Sequence, residues 1–162
     1  MVYHPEKPAL KQLMDVYDRT GATVLGCQPV PESKVSSYGI IKGTVTDDAR
    51  LMRVQDMVEK PALSEAPSRM AVLGRYIITP DVFDVLQSTK PGKGGEIQLT
   101  DALRVMAHRE SVYAYHFEGR RYDVGDKLGF LKATVEFALR RPDLKNSFSQ
   151  YLKDVVADYE KK

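Results

Sequence analysis

The run Ala22-Thr23-Val24-Leu25-Gly26-Cys27-Gln28 is apolar and shows little alternation. A strand with one wet face alternates polar and apolar residues. A strand that does not alternate is covered on both faces, as in the mainly parallel sheets of α/β folds. Pro29 and Pro31 close the run, since proline gives no donor to a strand ladder. Just upstream, Leu10, Leu13, Met14 and Tyr17 recur at helical spacing and Gly21 follows as a C-terminal cap, which predicts a helix over roughly 6–20. A helix that feeds at once into a doubly covered strand points to α/β architecture.

The alternation continues along the chain. Residues 39–45 and 51–58 flank the polar turn Thr46-Asp47-Asp48 and are predicted as neighbouring antiparallel strands. Residues 70–78 form a further expected strand, after which Thr79 and Pro80 read as the N-cap and first-turn proline of a helix reaching about Gln87. Residues 98–108 are helical in pattern and 112–117 are strand-like. Residues 126–140 form a long amphipathic helix that ends near Pro142. A C-terminal helix is expected over 143–160 within the 143–162 tail, with Lys161-Lys162 frayed. No repeat or low-complexity linker interrupts the chain, so residues 1–162 are expected to form a single α/β domain.

Charge and composition exclude several function classes. The 24 Lys+Arg are interspersed among 22 Asp+Glu, giving +2, which leaves no basic stripe for nucleic acid. Cys27 is the single cysteine and cannot form an intrachain disulfide, which agrees with a reducing cytoplasm. No apolar run approaches the ~18 residues of a membrane span, and the N-terminus lacks the regions of a secretory signal. A cytoplasmic protein without a membrane or nucleic-acid partner is expected.

The chemistry begins at Val58-Glu59-Lys60-Pro61. Pro61 biases Lys60 toward an extended or polyproline backbone at the strand's end, where Glu59 and Lys60 can approach one ligand from different sides. Glu59 can accept hydrogen bonds from two vicinal hydroxyls, and Lys60 can offer a point charge to a phosphate. Taken alone, the same tripeptide is also ordinary surface sequence. Gly39, at the start of a strand, lets a ligand approach the backbone, or simply makes a turn. The loop Lys90-Pro91-Gly92-Lys93-Gly94-Gly95 lacks P-loop spacing and reads as a lid or plain connector. Asp123, between a strand end and a helix, is the best candidate for a metal, because magnesium takes one or two carboxylates and completes its shell with phosphate oxygens and water. Its other reading is a helix cap or an ion pair with Arg120 or Arg121. His4, His108 and His116 show no metal-ligand spacing and no nucleophile partner.

Five segments in this order carry a resemblance: Ser37-Tyr38-Gly39-Ile40-Ile41, Val58-Glu59-Lys60-Pro61, Gly74-Arg75-Tyr76-Ile77, Gly95-Glu96-Ile97-Gln98-Leu99-Thr100-Asp101-Ala102 and Arg121-Tyr122-Asp123-Val124-Gly125 continuing to Phe130. Over nearly its whole length the chain closely resembles the bacterial UTP–glucose-1-phosphate uridylyltransferases, or UDP-glucose pyrophosphorylases. The resemblance implies a Rossmann-like, glycosyltransferase-A-like nucleotidyltransferase fold, a mixed sheet flanked by helices. It also implies formation of UDP-glucose and pyrophosphate from UTP and glucose 1-phosphate with Mg2+. On matching positions, Glu59 would bind glucose hydroxyls, Lys60 the sugar phosphate, Gly39 the sugar through its backbone, and Asp123 the metal, with Lys60 and Asp123 the catalytic pair.

The family's N-terminal nucleotide-binding segment has no counterpart here. The expectation is therefore the C-terminal part of such an enzyme, incomplete on the N-terminal side of its sheet, supplying the sugar-phosphate half of the site and inactive alone. Exposed sheet edge would then favour a homo-oligomer. A nucleotidyltransferase for another sugar 1-phosphate, or an inactive sugar-phosphate-binding or assembly module, are the alternatives.

Overall fold

A computed structural model describes residues 1–161, without the side chain of Lys93. The Lys162 end of the expected frayed tail lies outside the described residues. In chain order the elements are β1 (Val2–Tyr3), α1 (Ala9–Thr20), β2 (Thr23–Pro29), β3 (Gly39–Val45), β4 (Leu51–Glu59), β5 (Met70–Ile77), α2 (Val82–Ser88), α3 (Leu99–Arg109), β6 (Val112–His116), β7 (Arg120–Arg121), α4 (Lys127–Arg140) and α5 (Lys145–Glu160). The contacts divide the expected single domain into two compact units: His4–Gly119, and Met1–Tyr3 together with the chain from Arg120 onward. No helix among the described residues is long and apolar enough to cross a membrane.

In the larger unit β2, β5, β3, β4 and β6 join in that order and close on themselves. Only β2 and β6 run parallel, and the other pairs are antiparallel, so the sheet is mixed and not mainly parallel. The apolar run was a sound guide to burial, since residues 23–27 are all buried, but burial on two faces does not fix strand direction. The ring closes narrowly, since β3 meets β5 through Ile40 and Ala71 alone. Thirteen buried residues among those described form one core cluster, which includes Leu25, Ile41, Met57, Leu103 and Met106. Each fully buried side chain of this kind contributes about 1.5–3 kcal/mol, which anchors α3 beneath β4.

α1 corrects the sequence reading in two ways. It starts at Ala9 after Pro8, not near residue 6, and its inward face is Ala9, Gln12, Leu13 and Val16. Leu10, Met14 and Tyr17 are exposed. The inward stripe admits a glutamine because every polar atom of its amide is used: Nε2 donates to the Lys7 and Glu118 carbonyls, and Oε1 accepts from the Glu118 N–H. Gly21 ends the helix at φ 63° as expected, its N–H bonded to the Tyr17 carbonyl. Thr79 does not cap α2. Its hydroxyl pairs with that of Thr23, and the helix begins at Val82.

The smaller unit pairs β1 with β7 antiparallel beside α4 and α5. Asp126, not Asp123, caps α4 by accepting from the Gly129 N–H. Glu136 accepts from the Tyr122 hydroxyl at 2.7 Å and from Arg140 Nη2 at 2.9 Å, and Arg120 Nη2 lies 2.5 Å from its other oxygen. The Tyr122 hydrogen bond foremost, helped by Arg120 and Arg140 and opposed by desolvation, holds the Glu136 carboxyl below its ordinary value of 4.5. A folded-state value below the unfolded one gives stability that is present above about pH 4.5 and lost as pH falls through the folded value. Glu136→Gln should therefore flatten the acid limb of a Tm-against-pH curve; an acid limb identical to that of the parent would refute this coupling.

Candidate functional site

β3 and β4 run antiparallel with Gly39 directly opposite Glu59, so the first residue of one strand meets the last residue of the other. The Lys60 N–H adds one more bond, to the Tyr38 carbonyl at 3.0 Å, and the chain then turns away. Lys60 takes φ 44°, the only positive φ of a non-glycine among the described residues. The extended Lys60 expected from Pro61 is thus not what forms. The ladder bond to Tyr38 holds its N–H at the bend that ends β4. A left-handed non-glycine residue costs about 1–3 kcal/mol and is concentrated at ligand clamps and active sites.

Glu59 is half-buried, its side chain 15% exposed, while Lys60 is 51% exposed with Nζ 3.6 Å from Glu59 Oε1. The carboxylate therefore sits against the protein and the ammonium reaches outward. Burial first, then the charge of Glu59, raises the pKa of the Tyr76 hydroxyl. That places the ring of β5 in the same electrostatic neighbourhood. A cleft of about 260 Å³ is lined by Glu59, Lys60, Gly94, Glu96 and Gln98. Whole ligand sites usually run to about 300–1,000 Å³, so this one is the size of part of a site. A larger hollow of about 460 Å³ on α4 and α5 is lined by Leu139, Leu152 and Val156 together with Ser149, Lys153 and Glu160.

The structure thus brings Gly39, Glu59 and Lys60 together. Asp123 belongs to the smaller unit, between β7 and α4, where its Oδ2 accepts from Arg121 Nη2 at 2.9 Å. The ion-pair reading of Asp123 is therefore realised. Its side chain is 41% exposed, and no group of three or more His, Cys, Asp or Glu able to hold a metal occurs among the described residues. One hard carboxylate still fits magnesium, which completes its shell with water and phosphate oxygens.

Sequence reasoning gave no separate role to Glu96, Gln98 or Thr100. All three belong to the Gly95–Ala102 segment, and the loop before α3 carries Gly94 and Gly95 at φ 78°, a backbone that glycine adopts without strain. That turn brings Glu96 and Gln98 to the cleft, while Thr100, in the first turn of α3, donates to Glu59. Forty-one positions separate Glu59 from Thr100, so no local spacing rule signals the pair.

A family model described as nucleotidyl transferase matches residues 2–139. The UTP–glucose-1-phosphate uridylyltransferase of Staphylococcus epidermidis is 47% identical over 154 residues, covering 95% of this chain and 53% of the relative. That of Staphylococcus haemolyticus is 49% identical with the same coverage. Among solved structures, a UDP-glucose pyrophosphorylase complexed with UDP-glucose superposes with a TM-score of 0.82 at 41% identity, covering 86% of this chain and 53% of that one. The chain spans about half the length of the curated relatives it matches.

Proposed function

The chain belongs to the nucleotidyl transferase family, and on that premise we propose that it supplies the sugar-phosphate half of a UTP–glucose-1-phosphate uridylyltransferase site. The observation that carries this reading is the Gly39–Glu59–Lys60 corner, with a half-buried carboxylate, an outward ammonium and a left-handed backbone at one strand end. Similarity to relatives of that name along nearly the whole chain supports the choice of glucose.

In this reading Glu59 accepts hydrogen bonds from neighbouring glucose hydroxyls, and the Gly39 backbone meets the same ring. Lys60 Nζ draws in the phosphate. The sugar-phosphate oxygen, already ionised at neutral pH, attacks the α-phosphorus of UTP and pyrophosphate leaves. No proton has to be removed from that oxygen, so the protein's task is to align two polyanions and offset their repulsion. Asp123 is assigned the magnesium ion, which when bound supplies further positive charge against the phosphates.

Competition calorimetry tests the substrate class. Glucose 1-phosphate and UDP-glucose are expected to bind the purified chain, with galactose 1-phosphate and mannose 1-phosphate at least about tenfold weaker, since a misplaced hydroxyl leaves a buried acceptor unpaired. Equal affinity for the three sugar phosphates would favour a nucleotidyltransferase of another specificity. A folded sample that binds none of them would overturn the assignment for this chain.

A further inference from the structure

Thr100 stands in the first turn of α3, and its Oγ1 donates to Glu59 Oε2 at 2.6 Å. The bond joins two elements held together by the core, since α3 packs on β4 and Met57, Leu103 and Met106 belong to one buried cluster. Both ends of the bond are therefore fixed to rigid backbone. Gly39 forms the floor beneath it: a Cβ there would lie 3.0 Å from Glu59 Oε2 and 3.3 Å from Thr100 Oγ1. Contacts that short are tighter than most real Cβ contacts, so the pair would have to give by a few tenths of an ångström to admit a side chain at 39. Its φ does not lie in the left-handed region, which leaves room for the pair as the structural reason for glycine here.

An unrestrained glutamate has three rotatable side-chain bonds and sweeps a wide arc. Immobilising such a side chain on binding weakens affinity by about 2- to 12-fold. With Oε2 tied to Thr100, that cost is met during folding. The carboxylate keeps Oε1 and its remaining lone pairs for a ligand, on the side where Lys60 Nζ lies 3.6 Å away.

We propose that Thr100 is a positioning residue: its hydroxyl, over the Gly39 floor, presets the Glu59 carboxylate to read the sugar hydroxyls of the proposed substrate. The inference rests on the sugar-phosphate reading above and adds to it the group that determines recognition of the sugar end. Thr100 is bonded to Glu59, the group assigned to the sugar hydroxyls, so its loss weakens recognition of the sugar without weakening that of the anion.

The test uses the chain itself with glucose 1-phosphate and, separately, inorganic phosphate. Thr100→Val keeps the shape and β-branching and removes the donor, whereas Thr100→Ser keeps the donor. Thr100→Val is expected to raise the Kd for glucose 1-phosphate about tenfold while Thr100→Ser stays within about twofold, with phosphate affinity alike in all three proteins. Gly39→Ala, which crowds the same pair, should copy Thr100→Val. In parallel, scalar couplings across Glu59 χ1 and χ2 are expected to report one rotamer in the parent and rotamer averaging in Thr100→Val. Unchanged glucose 1-phosphate affinity in Thr100→Val overturns the proposal, as does an equal loss for inorganic phosphate. If the parent chain binds no sugar phosphate, the function reading fails by itself, and the couplings still decide: a Glu59 rotamer indifferent to Thr100→Val overturns the positioning role.

Discussion

Lys60→Ala is expected to weaken glucose 1-phosphate binding by about 30-fold or more and to weaken inorganic phosphate comparably. The ammonium projects outward beside a half-buried carboxylate, and removing one member of a hydrogen-bonded charge pair across an interface costs about 2–5 kcal/mol. Half exposure places the effect toward the lower end, and rising salt should shrink it. Charge and backbone strain can be separated at this position. Alanine keeps the penalty of φ 44°, whereas Lys60→Gly removes both the charge and the penalty. Lys60→Gly should therefore bind as poorly as Lys60→Ala and yet melt at a higher temperature. In an enzyme that carries this chain together with the nucleotide-binding segment, kcat/KM for glucose 1-phosphate should fall by a similar or larger factor. Kinetics indistinguishable from the parent would remove Lys60 from the phosphate site.

Glu59→Gln is expected to act on the other end of the ligand. The amide retains the size of the side chain but exchanges an acceptor-only carboxylate for a group with one acceptor and two donors. Hydrogen bonds to a charged acceptor contribute about 1.5–3 kcal/mol, which corresponds to a loss of about 12- to 150-fold for glucose 1-phosphate. Inorganic phosphate should bind as well as before, or slightly better, because a negative charge 3.6 Å from Lys60 Nζ is gone. Titrating both ligands against both variants gives a two-by-two pattern. Lys60→Ala loses both ligands, and Glu59→Gln loses only the sugar phosphate. A uniform loss for both ligands in Glu59→Gln would mean that the carboxylate holds the corner together and does not read hydroxyls.

Much of this corner is visible in the linear sequence. Residues 39–45 and 51–58 flank a polar turn and do form the β3–β4 ladder, which is why Gly39 and Glu59 face one another. The Glu-Lys-Pro step marks the end of β4, and Asp123 does lie between a short strand and a helix. The conformation of Lys60 was not visible, because the Pro61 rule describes a dipeptide, while the bond from its N–H reaches the Tyr38 carbonyl at the foot of the neighbouring strand. Thr100 was equally hidden. A threonine in the first turn of a helix is unremarkable until α3 is packed on β4 and its hydroxyl meets a carboxylate.

Periodicity and punctuation determined the elements, since a side chain's wish to leave water repeats with the geometry of its own backbone and proline or glycine ends the repeat locally. Direction, closure and facing belong to the tertiary structure. α1 shows the reason plainly: one helix carries Leu10, Met14 and Tyr17 on one stripe and Ala9, Gln12, Leu13 and Val16 on another, and the more apolar stripe is the exposed one. Which stripe turns inward depends on what stands opposite, and the Glu118 backbone offers Gln12 a donor and an acceptor 106 positions away. The same holds at the candidate site, where sequence supplied the carboxylate and the ammonium, and the packing of α3 on β4 supplied the hydroxyl that holds Glu59 in place.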